Sequence, residues 1–134
     1  MHYLDTSAFL KLVVEEDHSR ALRRAIGSRE CWSSTLLAVE AHRACIRLGL
    51  PHDAVDSRLA VVTFIVPSET TFDIARAIGP DHLRTLDAFH RATATELGSD
   101  LDGVVTYDRR QASGAETLGL SVVAPGLTGR WWID

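Results

Sequence analysis

Lysine is all but missing from this chain: of 14 Lys and Arg residues only Lys11 is a lysine, and asparagine does not occur. The positive charges are therefore guanidiniums, which suit bidentate phosphate contact, although a biased composition would give the same excess. Cysteine is almost as scarce. Cys31 and Cys45 fit no redox or metal spacing and read as small apolar fillers. His42 and Cys45 share a helical face but lack companion ligands in the sequence, so no zinc site is expected there. No apolar run approaches the roughly 18 residues that span a bilayer. The opening Met1-His2-Tyr3-Leu4-Asp5 has no basic stretch and meets a charge at once, unlike a signal peptide. The expectation is a cytoplasmic protein. No Gly-x-Gly-x-x-Gly or phosphate-loop Gly-Lys motif occurs, so a nucleotide cofactor is unsupported.

What is present is an ordinary globular composition, 46% hydrophobic and 24% charged over 134 residues. That length fits one domain, here residues 1–134, without disulfides. The net charge of −4 argues against a general nucleic-acid coating protein. Setting aside four candidate acids would leave the rest without net charge, and a local basic patch can still hold a phosphate backbone.

Short β-like runs alternate with helical patterns. Strands are expected at 2–4, 31–33, 63–66, 103–106 and 120–124. Helical stretches are expected around Phe9 to Val13 and at 18–26, 35–48, 54–60, 69–78 and 83–97. A further helix follows Asp108 and runs to Leu118. Gly27, Gly49, the Gly79-Pro80 pair, Gly98 and Gly119 read as stops. Strands separated by helices imply crossovers and a parallel sheet. Continuous apolar runs such as Val104-Val105 imply a sheet covered on both faces. The expected architecture is a three-layer α/β/α sandwich with a central, mostly parallel sheet. Such sheets bind ligands beyond the C-terminal ends of their strands.

Four acids stand out. Asp5 and Asp108 each follow an expected strand, on the rim where a parallel sheet places its site; each also precedes a helix, where Asp is a favoured N-cap. Glu40 borders the apolar stripe of Leu37, Ala41, Cys45 and Leu48. Asp87 follows Leu86 on a face that continues to His90, Ala94 and Leu97. A carboxylate beside a core stripe is costly unless paired or metal-bound. The bland alternative is a surface pair of Glu40 with Arg43 and of Asp87 with Arg91. Together, four clustered carboxylates call for a hard dication, Mg²⁺ or Mn²⁺, which takes oxygen ligands. Such an ion can activate a water for attack on a phosphodiester.

At these residues the sequence resembles the PIN-domain nucleases, and among them the VapC toxins of bacterial toxin–antitoxin pairs. Tyr3-Leu4-Asp5-Thr6-Ser7-Ala8 resembles the first motif, and Val39-Glu40-Ala41-His42-Arg43 the second. Leu86 to Ala94, with Asp87, resembles the third. Val105-Thr106-Tyr107-Asp108-Arg109-Arg110 resembles the fourth. The resemblance covers the whole chain and implies Mg²⁺ or Mn²⁺ held by Asp5, Glu40, Asp87 and Asp108. It gives Thr6 and Ser7 a role in shaping the loop around Asp5, with Ser7 or Thr106 as a hydroxyl near metal or water. It also implies endonuclease action on RNA, a homodimer, and neutralisation by a VapB-type antitoxin.

Arg109 and Arg110 are candidates for gripping RNA phosphates. Arg43 and Arg91 are candidates for RNA contact or for orienting Glu40 and Asp87. The Trp131-Trp132 tail stacks bases, joins a partner or, as the favoured reading, packs back on the domain. A haloacid-dehalogenase-like phosphatase needs a second Asp where Ser7 stands, and a receiver domain needs a late-strand lysine. The remaining alternative is a degenerate PIN domain that only binds RNA or a protein.

Overall fold

A computed structural model describes residues 1–27, 29–79 and 83–133. The chain runs β1 (His2–Leu4), α1 (Thr6–Val13), α2 (Ser19–Ile26), β2 (Cys31–Ser34), α3 (Leu36–Leu48), α4 (His52–Leu59) and β3 (Val62–Ile65). It continues through α5 (Glu69–Ala77), α6 (Thr85–Leu97), a 3-10 turn (Gly98–Asp100), β4 (Gly103–Val105), α7 (Arg109–Thr117) and β5 (Val122–Val123).

The sheet order is β3-β2-β1-β4-β5, and every pairing is parallel. The chain therefore builds outward from β1 to β3, then returns to the other side of β1 to add β4 and β5. That reversal puts the topological switch point between β1 and β4, where an open α/β sheet leaves a crevice beyond its strand ends.

Alternation along the two central strands explains why Tyr3-Leu4 and Val104-Val105 are each buried at both positions. Leu4 and Val105 enter one core with Phe9, Leu22, Leu37, Ala41 and Val55, drawn from α1 to α4. Tyr3 and Val104 enter a second core with Ala94 and Ala115, from α6 and α7. A period of two with both faces covered leaves no polar position. The expected sandwich is thus the observed one, with a fully parallel sheet. Helix α5 packs on α6.

The boundaries differ from the sequence reading by a residue or two where local chemistry decides. Helix α4 starts earlier than expected, at His52 directly after Pro51, whose φ is −65° and which leads the chain into the helix. Helix α6 starts later, at Thr85. Strand β5 is only Val122–Val123. At α5, Ser68 and Thr71 form a reciprocal capping box. Helix α3 stops at Gly49, whose φ of 67° is left-handed. Of the expected stops, Pro80 lies outside the described residues.

Arg91 on α6 ties the second layer together. It is 5% exposed. Its guanidinium donates to Gln111 Oε1 at 3.0 Å, to the Arg110 carbonyl at 2.5 Å and to the Gly79 carbonyl at 3.4 Å. A Cβ on Gly114 of α7 would collide with that guanidinium. Gly114→Ala should therefore cost about 2 kcal/mol by overpacking, read as a lower urea midpoint at unchanged slope. An unchanged midpoint would show that Arg91 is not fixed against α7.

Candidate functional site

The site begins with Asp5, which leaves β1 and enters α1. It is 3% exposed, and its two oxygens are held by three donors. Oδ1 accepts from Ser7 Oγ at 2.7 Å and from the Ala8 backbone N–H at 3.0 Å; Oδ2 accepts from Thr106 Oγ1 at 2.5 Å. The two hydroxyls in turn accept from the next loop: Ser7 Oγ from the Tyr107 N–H at 2.9 Å and Thr106 Oγ1 from the Asp108 N–H at 3.1 Å. Asp5 is thus an N-cap, as its sequence position allows, and the knot joining β1 to the end of β4. Burial pushes its carboxyl above the usual range; the bonds from Ser7, Thr106 and Ala8 and the His90 ring pull the other way. Thr6 Oγ1 is closed off from solvent and has no hydrogen-bond partner among the described residues.

Glu40 projects from α3 and meets α6. Its Oε1 lies 2.5 Å from His90 Nε2, while His90 Nδ1 lies 2.5 Å from the Tyr3 hydroxyl. Burial drives the Tyr3 phenol well above its ordinary pKa, so it stays protonated. A Tyr3 O–H donating to Nδ1 leaves Nε2–H to donate to the Glu40 carboxylate. The chain Tyr3–His90–Glu40 therefore crosses from sheet to α6 to α3 and fixes the glutamate. From the sequence alone His90 reads only as a continuation of the Asp87 face. The signal for more was its place one helical turn after Asp87.

Asp87 and Asp108 form the outer part. Asp87, in the first turn of α6, accepts from Gln111 Nε2 at 3.2 Å. Asp108 caps α7 through the Arg110 and Gln111 N–H groups at 2.8 and 3.0 Å, so both strand-end acids are helix caps. Burial raises Asp87, and the charges of Asp108 and Glu40 raise it further, against His90 and Arg91. None of the described ion pairs joins Glu40 to Arg43 or Asp87 to Arg91; the His90–Glu40 pair takes their place. Arg91 spends its donors inside the fold instead of reaching outward, whereas Arg43, Arg109 and Arg110 are exposed.

Exposure rises from Asp5 through Glu40 and Asp87 to Asp108. The outer end opens on a cleft of about 580 Å³ lined by Asp87, Arg84, Arg109, Arg110 and Trp132. The tail packs back: Trp132 Nε1 donates to Glu116 at 3.0 Å and Arg130 pairs with the same carboxylate. His90, bonded to Glu40, also lies within electrostatic reach of Asp5 and Asp87.

The four acids fit a hard divalent cation in donor chemistry, since all offer carboxylate oxygen. They fit in electrostatics too: a cation would favour the charged form that burial disfavours at Asp5 and that burial with Asp108 and Glu40 disfavours at Asp87. Their ligand atoms gather without converging. Among the described residues the one group of three or more metal-ligating side chains within 4.8 Å of one another lies elsewhere, at His42, Cys45 and His52.

Fold and acid placement define a parallel α/β protein with a carboxylate cluster at its topological switch point. The chain belongs to the PIN domain family, whose model matches residues 2–116. It is 42% identical over 125 residues to ribonuclease VapC46 of Mycobacterium tuberculosis, covering 92% of this chain and 96% of that protein. It is 34% identical over 133 residues to ribonuclease VapC47 of the same organism, covering 94% and 98%. Its fold matches a toxin–antitoxin complex from Klebsiella pneumoniae with a TM-score of 0.72 at 18% identity, covering 96% of this chain and 100% of that one.

The raised carboxyls set a sign for stability. A carboxyl whose folded pKa lies above its unfolded value favours folding when protonated, and that contribution is lost as pH rises through the folded pKa. Asp87→Asn should therefore raise the melting temperature in chelator at neutral pH, by roughly a few degrees. The difference should shrink as pH falls toward the ordinary carboxylate range. A lower melting temperature for the variant at neutral pH would show that Asp87 is not held against its charge.

Proposed function

We propose that this chain is an endoribonuclease toxin of the VapBC type, a single PIN domain over residues 1–134, acting on RNA in the cytoplasm. The observation that carries the reading is the acid cluster itself. Asp5 and Asp108 follow the two strands flanking the switch point, and Glu40 and Asp87 reach the same rim from α3 and α6. The ribonuclease names of the relatives support RNA as the substrate.

Asp5, Glu40, Asp87 and Asp108 are the residues that would hold Mg²⁺ or Mn²⁺. Bound there, a divalent cation lowers the pKa of a water and neutralises charge developing on the phosphate. The chain's own groups do the positioning. Ser7 and Thr106 fix the Asp5 carboxylate, so their hydroxyls act through Asp5. His90, oriented by Tyr3, fixes Glu40. Gln111 bridges Asp87 and Arg91, keeping that carboxylate toward the cleft. Arg109 and Arg110, at the start of α7 and on the cleft wall, are the candidates for holding RNA phosphates; Arg43 lies on the exposed side of α3. Arg91 serves this site as a strut. Clustered carboxylates suit an arginine from a VapB-type antitoxin. We further propose a homodimer, in line with the exposed apolar Val39 and Ile46 on α3.

The test is cleavage of an RNA panel with Mg²⁺ or Mn²⁺ by wild type, Asp5→Asn and Asp87→Asn. Each substitution should reduce the rate on the order of 100-fold or more, with the folded state checked by circular dichroism. Equal cleavage by all three would overturn the catalytic assignment; binding of RNA without cleavage by any would mark a degenerate domain. Expression of the wild-type chain should arrest growth, and co-expression of a cognate VapB-type antitoxin should relieve that arrest. Harmless expression of an active nuclease would refute the toxin role and leave the chemistry standing.

A further inference from the structure

We propose a second metal site, separate from the acid cluster, in which His42, Cys45 and His52 bind Zn²⁺ and clip α3 to α4. His42 and Cys45 are one turn apart on α3. The Gly49-Leu50-Pro51 turn reverses the chain and delivers His52, the first residue of α4, onto them. The ligand atoms of the three side chains all lie within 4.8 Å of one another. His42 Nδ1 and His52 Nδ1 face each other at 2.6 Å, with the rings stacked 4.8 Å apart at 22°.

Two further features select a cation over a simple contact. Asp56, one turn along α4 from His52, lies with Oδ1 2.8 Å from His42 Nε2. A carboxylate accepting from Nε2–H fixes the tautomer that leaves the Nδ1 lone pair outward, which is how a metal-ligating histidine is normally supported. Cys45 is buried, 1% exposed, and among the described residues its Sγ reaches only the Pro51 carbonyl at 4.0 Å, a weak contact. Two imidazole nitrogens and one thiolate are a borderline-soft set that suits Zn²⁺ and disfavours Mg²⁺. The exposed His52 side leaves the fourth position to water. Sequence spacing hid the set because His52 belongs to another helix.

The probe is Co²⁺ added to the full-length, metal-free protein. One equivalent should produce a thiolate-to-cobalt charge-transfer band in the near ultraviolet and intense tetrahedral bands in the visible, both abolished by Zn²⁺. Asp87→Asn should keep the bands, since that residue belongs to the acid cluster. Cys45→Ser should lose the charge-transfer band. His52→Ala, at an exposed position that leaves the core intact, should weaken Zn²⁺ binding against a chromophoric chelator. Asp56→Ala should do so by roughly 10–100-fold. Absence of the band in the wild-type protein, or Zn²⁺ affinity unchanged in His52→Ala, would overturn the proposal and leave a proton-sharing histidine pair.

Discussion

Everything at the rim depends on how one buried carboxylate is held. Asp5 sits where β1 ends, and its acceptors are filled by the first turn of α1 and by Thr106 at the end of β4. Leaving a buried carboxylate short of partners would cost several kcal/mol, so the donors have to be in place for the fold to close. The same hydroxyls accept the N–H groups of Tyr107 and Asp108, so the loop that launches α7 is positioned by the atoms that satisfy Asp5. Two central strands, two helix starts and the second strand-end acid are thereby one hydrogen-bonded unit. The switch point of the sheet explains why these ends are adjacent; the Asp5 knot explains why they are rigid.

The other two acids reach that unit from helices, and each is fixed by a neutral or internal partner. Glu40 is held by His90, and His90 by a tyrosine whose hydroxyl stays protonated in the core. Among the described residues Asp87 takes the amide of Gln111, while Arg91 turns away to two backbone carbonyls and the same glutamine. An Arg91–Asp87 pair would have neutralised the carboxylate. Diverting the guanidinium leaves the local charge negative and Asp87 raised by burial and by Asp108. That imbalance is the electrostatic reason for a cation at this rim.

Periodicity exposed most of the fold. Val104-Val105 and Tyr3-Leu4 read as buried strands because each pair feeds two cores, and the glycine at 49 stopped α3 where expected. The acids were legible for the same reason, since Glu40 and Asp87 interrupt apolar stripes. Their partners were not. A local reading offers Glu40 the arginine three residues on, yet the bond goes to His90, fifty residues away. Arg91 looked like a surface cation because arginine is seldom buried; only the glycine at 114 makes room for it, and that vacancy has no local signature. The choice between cap and catalytic acid at Asp5 and Asp108 was not a real one: a strand-end aspartate can cap its helix with one face and still border the rim.

Helix α3 carries proposed ligands of both kinds only two residues apart, and helix geometry would keep them from competing. Successive residues turn by about 100°, so Glu40 and His42 point roughly 200° apart. Glu40 accordingly meets His90 on α6, and His42 meets His52 and Asp56 on α4. The oxygen set suits a hard ion and the imidazole–thiolate set a softer one, so a mixture of cations would sort between them by donor type. A cation at the α3–α4 clip would then influence the acid cluster only through the helix as a rigid body, by limiting how far α3 can tilt relative to α6. Glu40 is the acid that α3 carries, so its bond to His90 on α6 is the link that such a tilt would strain.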